Sequence, residues 1–175
     1  MSFDRDTWAT PQYIFDWLNN IYNFNVDLCA SAENYKYMNY FSKDFNALDR
    51  SWLSRDNART VGFCNPPYSD ISPWIDKAIS EAENGFTTVM LIETPNGQKH
   101  YKQLFEKATS ITFITGRLAF YNPHLKKHVS GNTRGSCVVE FSKKYNDLPI
   151  QIDHVDRELI KEVYNKSYDD GSCAW

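Results

Sequence analysis

The apolar run Val61-Gly62-Phe63-Cys64 is halted by Pro66-Pro67, and a helix-spaced segment opens soon after at Ser72. Two adjacent prolines cannot continue a central strand, since each lacks a ladder N–H and fixes its φ, so Asn65-Pro66-Pro67-Tyr68 must be a stiff turn. Strand, rigid turn and helix in that order are the unit of an α/β sheet, and such sheets bind ligands at the carboxyl ends of their strands. The rest of the chain keeps this rhythm. Residues 24–29, 60–64, 87–92, 110–114 and 136–141 are short runs rich in β-branched or aromatic residues and read as strands. Helical spacing marks residues 11–22 through Ile14, Leu18 and Ile21, residues 72–82 through Ile75 and Ile79, and a third helix over 99–108. Thr10-Pro11 and Ser72-Pro73 each set a hydroxyl before a proline, which predicts side-chain caps on the first two helices.

The 175 residues carry no repeat and no Gly/Ser linker, as expected of one domain over 1–175 with a charged tail over 146–175. Within that tail a helix is expected near 156–164, with fraying beyond it. Apolar stretches such as Val89-Met90-Leu91-Ile92 are far too short to span a bilayer, and Met1-Ser2-Phe3-Asp4 has no signal-peptide pattern. A cytoplasmic protein without a membrane partner is the expectation. Cys29, Cys64, Cys137 and Cys173 show neither CxxC nor Cys/His pairing and read as reduced thiols, so no metal is expected.

A net charge of -3 argues weakly against nucleic acid, but the charge is polarised. No acid lies between Glu106 and Glu140, whereas Lys107, Arg117, Lys126, Lys127 and Arg134 all do. Residues 121–134, which include Pro123, His124, His128 and Gly131, read as a basic loop or hairpin able to reach phosphates and base edges; the alternative is a solvated surface loop.

The turn itself suggests a reaction. An exocyclic amine on a base is a poor nucleophile because its lone pair is delocalised into the ring. The Asn65 side-chain oxygen and the Pro66 carbonyl can each accept one N6 hydrogen of adenine, favouring a pyramidal nitrogen, while Pro67 stiffens the turn. Tyr68 can stack on a base extruded from the duplex. The step is then direct, in-line methyl transfer, with no covalent intermediate and no metal. The same groups suit cytosine N4 or a glutamine side-chain amide in a protein. A plain proline turn with a surface tyrosine is the reading without chemistry.

In order along the chain stand Trp8-Ala9-Thr10-Pro11, Val26-Asp27-Leu28-Cys29-Ala30, Asn65-Pro66-Pro67-Tyr68-Ser69, Gly116-Arg117-Leu118-Ala119-Phe120 and Gly135-Ser136-Cys137-Val138-Val139-Glu140-Phe141. With them the chain resembles, over residues 8–141, the phage-type DNA N6-adenine methyltransferase family, often called Dam. The resemblance implies a compact Rossmann-like fold that uses S-adenosylmethionine, yields S-adenosylhomocysteine, and acts on double-stranded DNA by base flipping. It also implies a role in protecting phage DNA from restriction, and a short target site such as GATC.

For particular residues it implies that Trp8, Thr10 and Pro11 approach the methionine end of the cofactor, where a helix N-terminus favours the carboxylate. Asp27, with Ala30 beside it, binds the cofactor's amino group directly or through water. Asp44 accepts from the adenosine and Phe45 offers it a face, with Asp49 competing for that role, and Asn65 also touches the cofactor. Arg117, Lys126, Lys127 and Arg134 are the DNA-binding candidates.

Two departures stand out. Ala30-Ser31-Ala32-Glu33-Asn34 replaces the usual glycine-rich loop. Only about thirty residues separate Ala30 from Val61, which predicts a trimmed sheet. A protein glutamine-amide methyltransferase and a noncatalytic DNA-binding relative remain alternatives at this level, and neither a base assignment nor an oligomeric state follows from the residues.

Overall fold

The apolar run at 87–92 becomes the central strand, and its alternation explains the fold. Val89 and Leu91 are buried with one group of core residues, Met90 and Ile92 with another, so the strand is covered on both faces and reads as continuously apolar. The structure is a computed structural model whose described residues are 8–54, 60–95, 97, 100–122, 125–129, 134–143 and 148–164.

Along the chain come α1 (Gln12–Tyr22), β1 (Val26–Asp27), β2 (Val61–Cys64), α2 (Ser72–Glu83), β3 (Thr87–Glu93) and α3 (His100–Lys107). They are followed by β4 (Ser110–Thr115), β5 (Phe120–Asn122), β6 (Lys127–Val129), β7 (Ser136–Phe141), β8 (Gln151–Asp156) and α4 (Arg157–Tyr164). The main sheet runs β1-β2-β3-β7-β4-β8, while β5 and β6 form a separate antiparallel pair. β1, β2 and β3 are parallel, β7 is antiparallel to both its neighbours, and β8 lies parallel to β4.

Helices cover both faces. Ile14 and Leu18 of α1 and Ile160 of α4 pack with Val89 and Leu91. Trp74 and Ile75 of α2 and Leu104 of α3 pack with Met90 and Ile92. This is a mixed α/β methyltransferase-like architecture, and it is trimmed: β1 forms the sheet edge. Between β1 and β2 the described chain adds only a parallel bridge from Asp27 to Tyr40 and a 3-10 turn at Ala47–Asp49. Gly62 lets β1 close onto β2, since a Cβ there would lie 2.8 Å from Leu28 Cδ1 and 2.9 Å from Phe86 Cζ.

Some expectations are corrected. Neither predicted side-chain cap forms. The Pro11 carbonyl accepts from Ile14 and Phe15, so Pro11 is the N-cap of α1, and the Thr10 hydroxyl is buried without a hydrogen-bond partner among the described residues. The Ile71 carbonyl likewise accepts from Trp74 and Ile75, which moves Ser72 inside α2. The strand at 24–29 shrinks to Val26–Asp27, and β8 is an additional edge strand.

The tail helix forms at Arg157–Tyr164 and docks on α1, where Asn20 Nδ2 donates to the Tyr164 hydroxyl at 3.1 Å. Residues after 164, including Cys173, and Lys99 at the start of the third helix, lie outside the described residues. Cys64 and Cys137 are fully buried, and burial pushes the Cys137 thiol up to about 12. No helix among the described residues is long and apolar enough to cross a membrane.

Candidate active site

The carboxyl ends of β1 and β2 open onto a groove of about 680 Å³. Leu28, Ala30, Phe41, Leu48 and Trp74 give it apolar walls, and Asn34, Asn46 and Asp70 add polar groups. That mixture and size suit a small organic ligand with a few hydrogen-bonding atoms. Cys29 and Asn34 also line a narrow second cavity, shared by Trp8, Thr10, Asp27, Lys36 and Asn65.

Asp27 is 2 % exposed, and its carboxylate accepts from the backbone N–H groups of Cys29 at 3.3 Å and Lys36 at 2.9 Å. Burial raises its pKa to about 6, against the pull of those two donors and the Lys36 charge. The turn after β1 closes through Asn34, whose Oδ1 accepts from Ser31 N at 2.6 Å, and the Ala30 N–H donates to Phe41 O. Among the described residues, none between Asp27 and Lys36 has a positive φ. The turn therefore has no conformational need for glycine, which accounts for Ala30-Ser31-Ala32-Glu33-Asn34.

Lys36 gave no signal in the sequence. It reaches this cavity because its backbone is tied to Asp27 and its ammonium donates to Gln12 Oε1 at 2.8 Å. Gln12 in turn donates to Asp16 at 2.9 Å. Burial lowers the Lys36 pKa to about 8.

The turn at the end of β2 places Asn65 on the cavity wall and Pro67 on the groove. Tyr68 folds inward rather than presenting a free face: its hydroxyl donates to Asn65 Oδ1 at 3.1 Å, and its ring meets Phe120 edge-on at 6.4 Å. Burial, then the charge of Glu93, raise the Tyr68 pKa, so the hydroxyl stays a donor. On the far side of Tyr68 lies a polar cavity of about 290 Å³ bounded by Ser69, Asp70, Glu93, Tyr101 and Arg134. Arg134 is half-exposed and pairs with Glu93 at 2.6 Å, so its charge is partly committed within the protein.

Within the acid-free segment the described residues form a strand pair. β5 and β6 pair antiparallel, Lys126 at the turn has a φ of 49°, and Lys126 and Lys127 are exposed. Pro123, His124 and Gly131 lie outside the described residues. Ala9 and Tyr121 exchange backbone hydrogen bonds of 2.8 and 3.0 Å, so the strand pair is fastened to the segment carrying Trp8 and Thr10. Arg117 is exposed, and its carbonyl accepts from Arg157. Asp44, Phe45 and Asp49 are not brought to the groove. Their neighbours Lys43, Asn46 and Leu48 line it instead, Phe45 is 56 % exposed under the Arg50 guanidinium, and Asp49 accepts from Asn46.

Comparison with known proteins identifies the family. The family model described as DNA N-6-adenine-methyltransferase (Dam) matches residues 1–166. The chain belongs to the Dam family. A relative called DNA N-6-adenine-methyltransferase in Haemophilus phage HP1 is 29% identical over 165 residues, 91% of each chain. Another of that name, in Escherichia phage T1, is 29% identical over 150 residues, covering 77% of this chain and 61% of its own.

A methyltransferase family implies S-adenosylmethionine, and the Dam chain has groups that fit it. The buried Thr10 hydroxyl has no hydrogen-bond partner among the described residues, and it lines the same cavity as an anionic group, Asp27, and a cationic one, Lys36. Such a set matches the charges of the amino-acid end of that cofactor, but the cavity, at about 20 Å³, holds little more than a water and must widen to admit it; the apolar groove beside it suits a nucleoside.

Proposed function

We propose that this member of the Dam family, a DNA adenine-N6 methyltransferase, activates N6 of an adenine turned out of duplex DNA through Asn65, with S-adenosylmethionine as methyl donor. The supporting observation is the position of Asn65. Its side chain borders the cavity of Asp27 and Thr10, and it also holds Tyr68, which bounds the polar cavity of Glu93. One amide thus stands where a donor site and an amine site meet.

When bound, S-adenosylmethionine supplies a methyl group on a positively charged sulfur. Thr10 and Asp27 hold its amino-acid end, and Leu28, Ala30 and Trp74 enclose its nucleoside. Trp8 lines the cavity beside Thr10, and Pro11, buried behind it, starts α1. Asn65 Oδ1 and the Pro66 carbonyl accept the two N6 hydrogens, so the nitrogen lone pair is no longer shared with the ring. Pro66 and Pro67 keep these acceptors from moving, and Tyr68, packed inward against Phe120, turns its ring outward to give the entering base an aromatic face. Arg117, Lys126 and Lys127 hold phosphates of the duplex.

The test is methylation of a randomised duplex library by wild type and Asn65→Ala, reading the modified base and its context. Wild type should yield N6-methyladenine within one short sequence, and the variant should be slower by roughly a hundredfold or more. Equal methylation by both would remove Asn65 from the mechanism.

A further inference from the structure

The cavity beside Asn65 contains a cation that the reading above leaves without a task. The Lys36 ammonium is partly buried, and the hydrogen bond it makes is to the neutral Gln12 Oε1 at 2.8 Å. Among the described residues it forms no ion pair within 4.0 Å, although Asp27 and Asp16 are close enough to influence its charge. An ammonium has three protons to donate, and a partly buried cation with only a neutral partner is incompletely compensated. Its depressed basicity expresses the same deficit.

The neighbours define what would complete it. Asp27 is fixed by two backbone donors and presents a negative group to the cavity. The Thr10 hydroxyl, 2 % exposed, has no partner among the described residues and can donate. A ligand that satisfies all three carries a positive group for Asp27 and, beside it, an anionic group for Lys36 and Thr10. An α-amino acid does so.

We propose that Lys36 is a cofactor-positioning residue whose ammonium, together with the Thr10 hydroxyl, takes the α-carboxylate of the methyl donor, opposite the amino group held by Asp27. This rests on S-adenosylmethionine as the donor. Gln12 sets the Lys36 rotamer, and because Gln12 opens α1, the position of that carboxylate is tied to the helix N-terminus.

The test uses calorimetry with two ligands, S-adenosylhomocysteine and its analogue lacking the carboxylate, against wild type, Lys36→Met, Lys36→Gln and Lys36→Arg. Wild type should prefer the carboxylated ligand by about tenfold or more, the size expected of a charge-assisted hydrogen bond. Both uncharged variants should lose that preference, and Lys36→Arg should recover much of it. A merely structural lysine would weaken both ligands equally, so an unchanged preference in a folded Lys36→Met or Lys36→Gln overturns the assignment. Absence of preference in wild type overturns it without any variant. If wild type binds neither ligand, the cofactor reading falls as well, which separates the two failures.

Discussion

The Tyr68 hydroxyl donates to Asn65 Oδ1 at 3.1 Å, occupying the acceptor that N6 of adenine would need. Because that oxygen has a second lone pair, N6 either shares it with the hydroxyl or displaces the hydroxyl towards the Leu91 carbonyl, 3.5 Å away. Tyr68→Phe frees Asn65 while keeping the ring, at the loss of a neutral hydrogen bond worth about 1 kcal/mol. Its kcat/KM on duplex DNA should stay within a few-fold of wild type. Tyr68→Ala removes the stacking face, worth about 1–3 kcal/mol per base, and should lower kcat/KM by roughly 10- to 100-fold. Equal losses in the two variants would show that the hydroxyl, not the ring, carries the role.

Gly62 permits the contact between β1 and β2 that sets Asp27 opposite Phe63, two residues before Asn65. A Cβ would sit within 2.9 Å of both Leu28 and Phe86, each wholly buried, so neither can swing away. Overpacking of this kind costs about 1–3 kcal/mol. Gly62→Ala should lower the unfolding free energy by that amount, read as a lower urea midpoint with an unchanged slope, and S-adenosylhomocysteine affinity should fall because Leu28 also lines the groove. An unaltered midpoint would mean that β1 shifts freely.

Much of this fold is written in apolar periodicity. The four long inner strands were legible because their side chains are buried on alternating faces, and Asn65 because two prolines end β2. β8 was not: five of its six side chains are exposed, so its existence rests on backbone pairing with β4, which leaves no pattern in side chains. Lys36 was hidden for another reason. Its partners Asp27 and Gln12 lie 9 and 24 residues away, and an irregular turn, without helical or strand period, brings them together. The same irregularity explains Asp44 and Phe45, where nothing local decides which side chains of 43–46 turn towards the groove. Arg134 shows that a charge can be read while its partner cannot, since Glu93 is 41 residues distant.

Cofactor binding should show a pH window. The free Asp27 carboxyl has a pKa raised to about 6, so it is protonated below that pH and loses its attraction for an ammonium group. Affinity for S-adenosylhomocysteine should then fall as pH drops through 6, approaching tenfold per unit. Lys36, lowered to about 8, becomes neutral above that pH, and affinity should decline again there. For folding the signs differ. A raised acid pKa makes Asp27 unfavourable to the fold above about 6, and this is relieved as pH falls towards 4; a lowered amine pKa makes Lys36 unfavourable below about 8. Both burdens coincide between pH 6 and 8, so the melting-temperature rise on adding S-adenosylhomocysteine should peak in that interval. A rise that is flat from pH 5 to 9 would detach both residues from the ligand.

The β5–β6 pair and Arg134 should respond differently to salt. Lys126 and Lys127 are exposed at the β5–β6 turn, available to neutralise phosphates and release counterions. Their joint replacement by alanine should weaken DNA binding on all sequences alike and reduce the slope of log K against log salt by about 2, one for each contact. Arg134 is paired with Glu93 at the wall of the polar cavity. Arg134→Ala should leave the slope nearly unchanged and instead expose Glu93 to the base, lowering kcat. Should Arg134→Ala flatten the slope as much as the double variant, the Glu93 pair must open on DNA, and Arg134 belongs with the phosphate contacts after all.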